Sequence, residues 1–182
     1  MELNQNAPHE LEYIREFLNT WRIPNDTREA IDLLQTEEDI KLFMKEYFHE
    51  ELPFHTIEEL KSFREDIRVA IEGGESLQKW FEKHPFHVHV KEDMKSVTYE
   101  PVQEENVYTK VLSIVLTAIQ EKLWGKLKAC PDCRWVFYDH SRNGSKRWCG
   151  MYAGDEGGRA CGTIAKVKNY RAKRKGRSGY DM

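Results

Sequence analysis

A mixed α+β fold, mainly helical in its first part and followed by a small module of different chemistry, is what this 182-residue sequence predicts. Three observations carry the expectation. Apolar residues recur at helical spacing in most of the first 126 residues, interrupted by one stretch that alternates with period two. All four cysteines fall after residue 129. Charge divides at the same place: residues 130–182 hold twelve Lys and Arg against five Asp and Glu, which leaves sixteen against twenty-six in residues 1–129. The whole-chain net charge of −3 conceals an acidic body carrying a basic module. We therefore read two domains, 1–128 and 129–182.

The elements follow in order. "HELEYIREFLNTW" places Leu11, Ile14, Leu18 and Trp21 at helical spacing, with Phe17 beside them. In "TEEDIKLFMKEYF" Thr36 is positioned to cap a helix, with Asp39 reaching back in place of the usual Glu. Thr56 and Glu59 form a cleaner capping box before the stripe Ile57, Leu60, Phe63, Ile67 and Ile71, and Gly73-Gly74 ends that helix. "ESLQKWF" adds a short helix. Phe86, Val88 and Val90 then alternate with polar residues, and Val97 and Tyr99 return after a polar turn, a β-hairpin with Pro101 at its edge. A long helix is expected from about Gln103 to Lys126, with Val111, Ile114, Val115 and Ala118 on its inward face.

Several function classes are excluded. No stretch approaches the ~18–20 apolar residues of a membrane helix. The start, "MELNQNAPHELEY", lacks the basic and apolar regions of a signal peptide. The expectation is a cytoplasmic protein without membrane contact, in which thiols stay reduced. No nucleophile–base pair, phosphate-cradling glycine loop or paired-carboxylate motif stands out, so the chain is not expected to be an enzyme. His87 and His89, with His84 upstream, read either as exposed hairpin residues or as part of a second metal site. Asn19, Thr20 and Trp21 read either as a candidate ligand pocket for a small-molecule effector or as the end of the first helix.

The cysteines carry the chemistry. Their spacing is Cys130-x2-Cys133-x15-Cys149-x11-Cys161. A tight turn through C-P-D-C brings two sulfurs to one side, and zinc takes four thiolates tetrahedrally at about 2.3 Å. Buried unrelated thiols, two disulfides and an iron–sulfur cluster are the alternatives, with His140 as a substitute ligand for Cys161. A 53-residue module with few aliphatics needs such a staple, and structural zinc contributes on the order of 10 kcal/mol of folding free energy. Four protein ligands leave no open position, so one structural Zn²⁺ per chain is expected. "RWVFYDHSRNGSKRW" is expected to form two strands joined at "SRNG", with Trp135, Phe137, Tyr138 and Trp148 as an aromatic core. The eleven residues before Cys161 are expected to loop out.

The last segment, "GTIAKVKNYRAKRKGR", holds Lys166, Lys168, Arg171, Lys173 and Arg174 among its basic residues and no acid. Ile164, Val167 and Tyr170 are expected to turn inward on a helix. Arg142, Asn143, Lys146 and Arg147 add donors upstream. This set is the candidate nucleic-acid-binding surface, since Lys and Arg contact phosphate and Asn and Arg also read base edges; a solvated tail is the plain alternative.

These residues resemble the CGNR zinc finger, found at the C-terminus of stress-induced bacterial transcription regulators. The four cysteines match that family's ligands, and Ser141, Arg142, Asn143, Arg147 and Trp148 match its S-R-N-x-x-R-R-W-C loop. Cys-Gly-Thr-Ile at 161–164 departs from the signature tetrapeptide. Glu16-Phe17-Leu18-Asn19-Thr20 resembles the D-F-V-N-T motif of the domain that precedes this finger, the ABATE domain. The resemblance implies a zinc-dependent DNA-binding regulator with an N-terminal sensing domain. A protein-docking module and an RNA-binding stress factor are the other readings.

Overall fold

The chain runs α1 (Leu11–Asn19), β1 (Trp21–Arg22), β2 (Ile31–Asp32), α2 (Glu37–Tyr47), α3 (Ile57–Ile71), α4 (Gln78–Lys83), β3 (Phe86–Val90), β4 (Val97–Pro101), α5 (Val107–Gln120), a 3₁₀ turn (Trp124–Lys126), β5 (Leu127–Ala129), β6 (Val136–Tyr138) and α6 (Cys161–Arg177). The structure, a computed structural model, describes residues 5–24, 26–75, 77–92, 95–150 and 160–177, without the side chains of 169 and 172–177. The strands form three separate antiparallel pairs, β1–β2, β3–β4 and β5–β6. The fold is α+β, with helices supplying the core and hairpins at its margins. No helix among the described residues is long and apolar enough to cross a membrane.

Caps set the helix starts. The Thr36 hydroxyl accepts the Asp39 N–H at 3.2 Å while the Asp39 carboxylate accepts the Thr36 N–H at 2.8 Å, the reciprocal box expected for α2. Thr56 caps α3 through the Glu59 N–H at 3.1 Å, but the expected reciprocal box is not completed, because the Glu59 carboxylate turns to His55 and Lys83 instead. The long helix is shorter than its apolar pattern predicts. Asn106 opens α5 by accepting the N–H groups of Tyr108 and Thr109, both at 3.0 Å, so the four preceding positions stay outside. Its end is closed by Lys122 at φ 60°, with the Leu123 N–H reaching back to Ala118 O at 2.8 Å. Trp21 also leaves the helical stripe assigned to it. The α1 helix stops at Asn19, and the Leu33 N–H bonds to Thr20 O at 2.8 Å, turning the chain into the β1–β2 hairpin.

The core joins α1, α3 and α5. Ile14, Phe17, Leu18, Phe63, Ile67 and Tyr108 are all at most 1% exposed, and burying one such side chain stabilises the fold by roughly 1.5–3 kcal/mol. Leu127, Val136 and Tyr138 belong to this same core. Trp135 and Phe137 instead join the four cysteines in a second cluster, with Trp148 packed against it. Strand periodicity explains the division: alternate side chains of 135–138 point to opposite faces. Tyr138 therefore turns to the helical body, which corrects its expected place in the aromatic core of the finger.

The hairpin of the C-terminal module also differs from the expected one. Strand β6 pairs with upstream β5 in the register Leu127↔Tyr138, Lys128↔Phe137 and Ala129↔Val136. The expected downstream partner, through 148, is not a strand. The cause lies in the C-P-D-C turn. The Cys130 N–H donates to Trp135 O at 2.9 Å and the Arg134 N–H to Cys130 O at 2.8 Å, with Arg134 in the left-handed region at φ 59°. That reversal carries the chain back along β5.

Polar clamps hold this hairpin to α1 and α3. The Asn19 side-chain amide donates to Val136 O at 2.9 Å and accepts from Val136 N–H at 2.8 Å, copying a strand's hydrogen bonding from the end of a helix. Arg68 is fully buried and donates to three carbonyls: Leu18 O, Trp21 O and Arg134 O. Its guanidinium and that of Arg134 both lie over the Trp21 ring, at 5.3 and 5.4 Å. Arg64 reaches Asp32 at 2.7 Å and the Thr20 hydroxyl at 2.7 Å, fixing the β1–β2 hairpin to α3.

Candidate metal centre

Three elements deliver the sulfurs. The turn after β5 supplies Cys130 and Cys133, the segment after 140 supplies Cys149, and α6 begins on Cys161. All four are buried, at 0–3% exposure, and their sulfurs lie within 4.8 Å of one another. Cys133 and Cys149 are 3.4 Å apart, Cys149 and Cys161 3.8 Å. Tetrahedral zinc–thiolate bonds of about 2.3 Å require sulfurs roughly 3.8 Å apart, so this donor set fits one zinc ion.

The backbone is arranged for thiolates. N–H groups of Cys133 and Cys149 donate to the Cys130 sulfur, and that of Trp135 to the Cys133 sulfur. Hydrogen bonds from its neighbouring thiols, chiefly Cys133 and then Cys149, push Cys130 far below the usual thiol range. Cys149 and Cys161 are pushed up instead, the first by its bonds to Cys130 and Cys133, the second by burial. Four sulfurs this close cannot all ionise without a shared cation. With zinc bound, all four would be thiolates, and the ion would serve as a structural cross-link.

Around the cluster, Asp139 organises the basic loop. This fully buried carboxylate accepts the N–H groups of Ser141 at 2.9 Å and Lys146 at 2.8 Å, and the Lys128 ammonium at 2.8 Å. Lys128 also donates to Gly144 O and to Lys146 O. Burial raises the Asp139 carboxyl, but these donors outweigh it and hold it far below the usual carboxylate range. Gly144 takes φ 57° at the turn, where a side chain would be strained. Gly162 meets a different constraint: a Cβ there would come within 3.1 Å of the Trp148 ring, a contact tighter than ordinary packing. The Cys-Gly pair that opens α6 thus depends on Trp148 seated against it.

The expected donors divide by position. Arg142, Asn143 and Arg147 are exposed and Lys146 is half-buried, its ammonium 5.2 Å from the Phe137 ring. The Arg147 guanidinium stacks 5.5 Å from the Trp148 ring. Lys166, Lys168 and Arg171 are exposed on α6, and Lys168 lies 3.7 Å from Asp132. Lys173 and Arg174 continue the α6 backbone, but their side chains lie outside the described residues, as do residues 151–159, where the looped-out insertion was expected. The inward stripe of α6 is confined to its start. Ile164 is half-buried, whereas Val167 and Tyr170 are 39% and 62% exposed. Trp148 and the cysteines occupy only the first turn, so the expected burial of the later apolar residues is corrected.

Other candidates are placed as clearly. The Nε2 of His140 lies 2.8 Å from Asn6 O, and the cysteine cluster needs no substitute ligand. His87 and His89 are exposed on β3, with His89 2.9 Å from Glu100, but His84 lies at the end of α4 and is buried, which corrects its expected place among exposed hairpin residues. Among the described residues, the cysteines form the only His, Cys, Asp or Glu group that could hold a metal. Asn19 and Thr20 line a cavity of about 250 Å³, but Trp21 does not; its ring stacks with Arg68 and Arg134 instead. Sequence reasoning missed Asp139, Lys128 and Arg68. Only Arg68 left a signal, as it follows Ile67 and lies four residues after Arg64 on the inward side of α3.

Residues 126–174 match the family model of the CGNR zinc finger. No curated protein matches the chain. The segment that builds the cysteine cluster, its Asp139-centred loop and the start of α6 is a CGNR zinc finger.

Proposed function

We propose that the chain is a zinc-dependent DNA-binding protein, a regulator of transcription in a stress response, whose ABATE-like helical body senses a small molecule or partner. It acts by binding and not as an enzyme. One observation carries the proposal. Exposed donors on two elements, Arg142 and Asn143 in the loop and Lys166 and Arg171 on α6, hang from a single cysteine cluster. A zinc ion held by the four cysteines would fix the start of α6 through Cys161, and Asp139 fixes the loop. Phosphate contact requires cations held in register on a rigid frame, and base reading requires Asn or Arg at a tip.

The test is fluorescence anisotropy of the zinc-loaded chain with a labelled mixed-sequence duplex over a range of salt. The affinity should fall steeply as salt rises, and each phosphate contact removed should flatten the log–log slope by about one. Arg142→Ala with Lys166→Ala and Arg171→Ala should abolish binding while the zinc content stays at one per chain. A chelator should abolish it as well. No duplex binding by the zinc-loaded chain at low salt would overturn the proposal. Tighter binding to a single-stranded RNA of the same sequence would replace DNA with RNA as the partner.

A further inference from the structure

The junction between α4 and the β3–β4 hairpin depends on one residue. The His84 N–H closes α4 by donating to Trp80 O at 2.9 Å, and Pro85 leads directly into β3. The residue is 2% exposed, and both of its ring nitrogens are buried with no hydrogen-bond partner among the described residues. An imidazole always carries at least one N–H, and leaving such a group buried and unpaired is costly and rare.

What surrounds His84 is aromatic. Its ring stacks with Tyr108 at 5.0 Å between centroids and lies nearly parallel to His55 at 6.1 Å and Trp80 at 6.3 Å. Tyr108 belongs to α5, His55 precedes α3 and Trp80 lies on α4, so the four rings join three parts of the body. The groups around them leave no acceptor for a proton. Lys83, next on α4, is itself a cation. On α3, Glu59 already holds the Lys83 ammonium and the His55 Nδ1, while Asp66 is taken by the Trp80 Nε1–H and Lys79. The Tyr108 hydroxyl from α5 accepts the His55 backbone N–H at 3.4 Å. Burial, followed by the charges of Lys83 and His55, lowers the His84 imidazole below the ordinary histidine value, with Glu59 opposing.

We infer that the junction of α4 with the hairpin is an acid-operated latch, closed while His84 is neutral and released when His84 takes up a proton. An imidazolium here would place a second unpaired N–H among the rings, beside Lys83. Cation–π attraction from Tyr108 and Trp80 offsets part of that cost but supplies no acceptor. The proton is accommodated once the ring reaches water. Opening carries Trp80 away from Phe63 and Tyr108, now 4.6 and 5.6 Å from it between ring centroids, and frees the hairpin that follows. The latch gives the sensing role proposed for the body a stimulus, and rests on that reading only for its regulatory meaning.

A histidine lowered by folding binds its proton more readily in the open state. The closed state therefore loses stability as pH falls below the unfolded value of about 6.5. Between pH 7 and pH 5.5 the opening constant should rise about eightfold.

The experiment follows amide exchange of the zinc-loaded full chain at these two pH values, corrected for the intrinsic exchange rate. No nucleic acid is present, so failure of the DNA reading does not affect it. The Phe81 and His84 N–H groups, bonded to Leu77 O and Trp80 O, should lose about eightfold in protection. Those of α1 should keep theirs, and those of β5 and β6 report any loss of metal separately. His84→Phe supplies a ring that takes no proton, and its α4 protection should not change between the two pH values. If that variant does not fold, an NMR titration of the native chain decides, with the His84 ring still neutral at pH 5.5 in the closed form. Unchanged protection in the native chain, an equal loss in His84→Phe, or a His84 ring that charges near pH 6.5 while α4 stays closed would overturn the inference.

Discussion

The helical body and the finger stabilise themselves in different ways although they share a strand. The body buries aromatic and aliphatic side chains from α1, α3 and α5 around Phe17, Phe63 and Tyr108. The finger's own buried cluster consists of four cysteines with Trp135 and Phe137. Area buried without metal is too small in a module of this size to offset chain entropy. Strand β6 serves both regions, giving Val136 and Tyr138 to the body and Phe137 to the cysteines. The body therefore has a core with or without metal, while the finger depends on both metal and body.

The largest effect should come from breaking the sulfur cluster. Cys133→Ser, or chelation of the native chain, removes a contribution on the order of 10 kcal/mol from the finger. The expected result is loss of the near-ultraviolet signal of Trp135 and Trp148 and rapid proteolysis after residue 139. The far-ultraviolet helical signal of the body should persist. A single transition in which the helices melt together with the finger would break the comparison and make the molecule one cooperative unit.

Next is the clamp between the regions. Arg68→Met keeps the bulk of the side chain but deprives Leu18 O, Trp21 O and Arg134 O of their buried donor. Burial lowers the Arg68 guanidinium to about 10, opposed by Glu65, and it stays charged at neutral pH. Removing one partner from such a buried charged network costs about 3–5 kcal/mol. Urea denaturation should show that loss in the body transition, and zinc should leave faster because Arg134 belongs to the cysteine turn. Loss from the body alone would show that the clamp does not serve the finger.

The parts of this arrangement legible in the sequence are those set by local pattern. The Thr36 and Thr56 caps, the α3 stripe, the β3–β4 hairpin and the cysteine quartet each depend on residues close in the chain or on one spacing rule. What escaped depends on partners far apart. Asn19 is a plain helix-terminal residue until Val136 arrives, 117 positions later. The upstream partner of β6 is hidden in the sequence because the three residues of β5 are too few to show a period. Val167 and Tyr170 fit a helical stripe, but periodicity does not reveal whether any surface faces the stripe. Asp139 looked like one polar residue beside a loop, since burial and convergent donors are properties of the folded chain.

The smallest and most local effect concerns that residue. The folded-state carboxyl of Asp139 lies far below the unfolded value near 4, because Lys128 and the N–H groups of Ser141 and Lys146 outweigh its burial. A lowered acid contributes stability that is complete above its unfolded value and is lost as pH falls toward the folded one. Asp139→Asn keeps one acceptor oxygen but gives up the charge facing Lys128 and places an amide where only donors converge. The variant should thus be less stable than the native chain by a constant amount from pH 7 to pH 5, with the difference shrinking below about pH 4. Acid also weakens the thiolate site, but both proteins carry the same four cysteines, so the difference between their denaturation curves removes that contribution. A difference independent of pH down to about pH 3 would mean that Asp139 acts only through shape and hydrogen bonding. A difference that shrinks as expected would mean that its charge, balanced by Lys128, is what holds the Arg142–Asn143 tip in place.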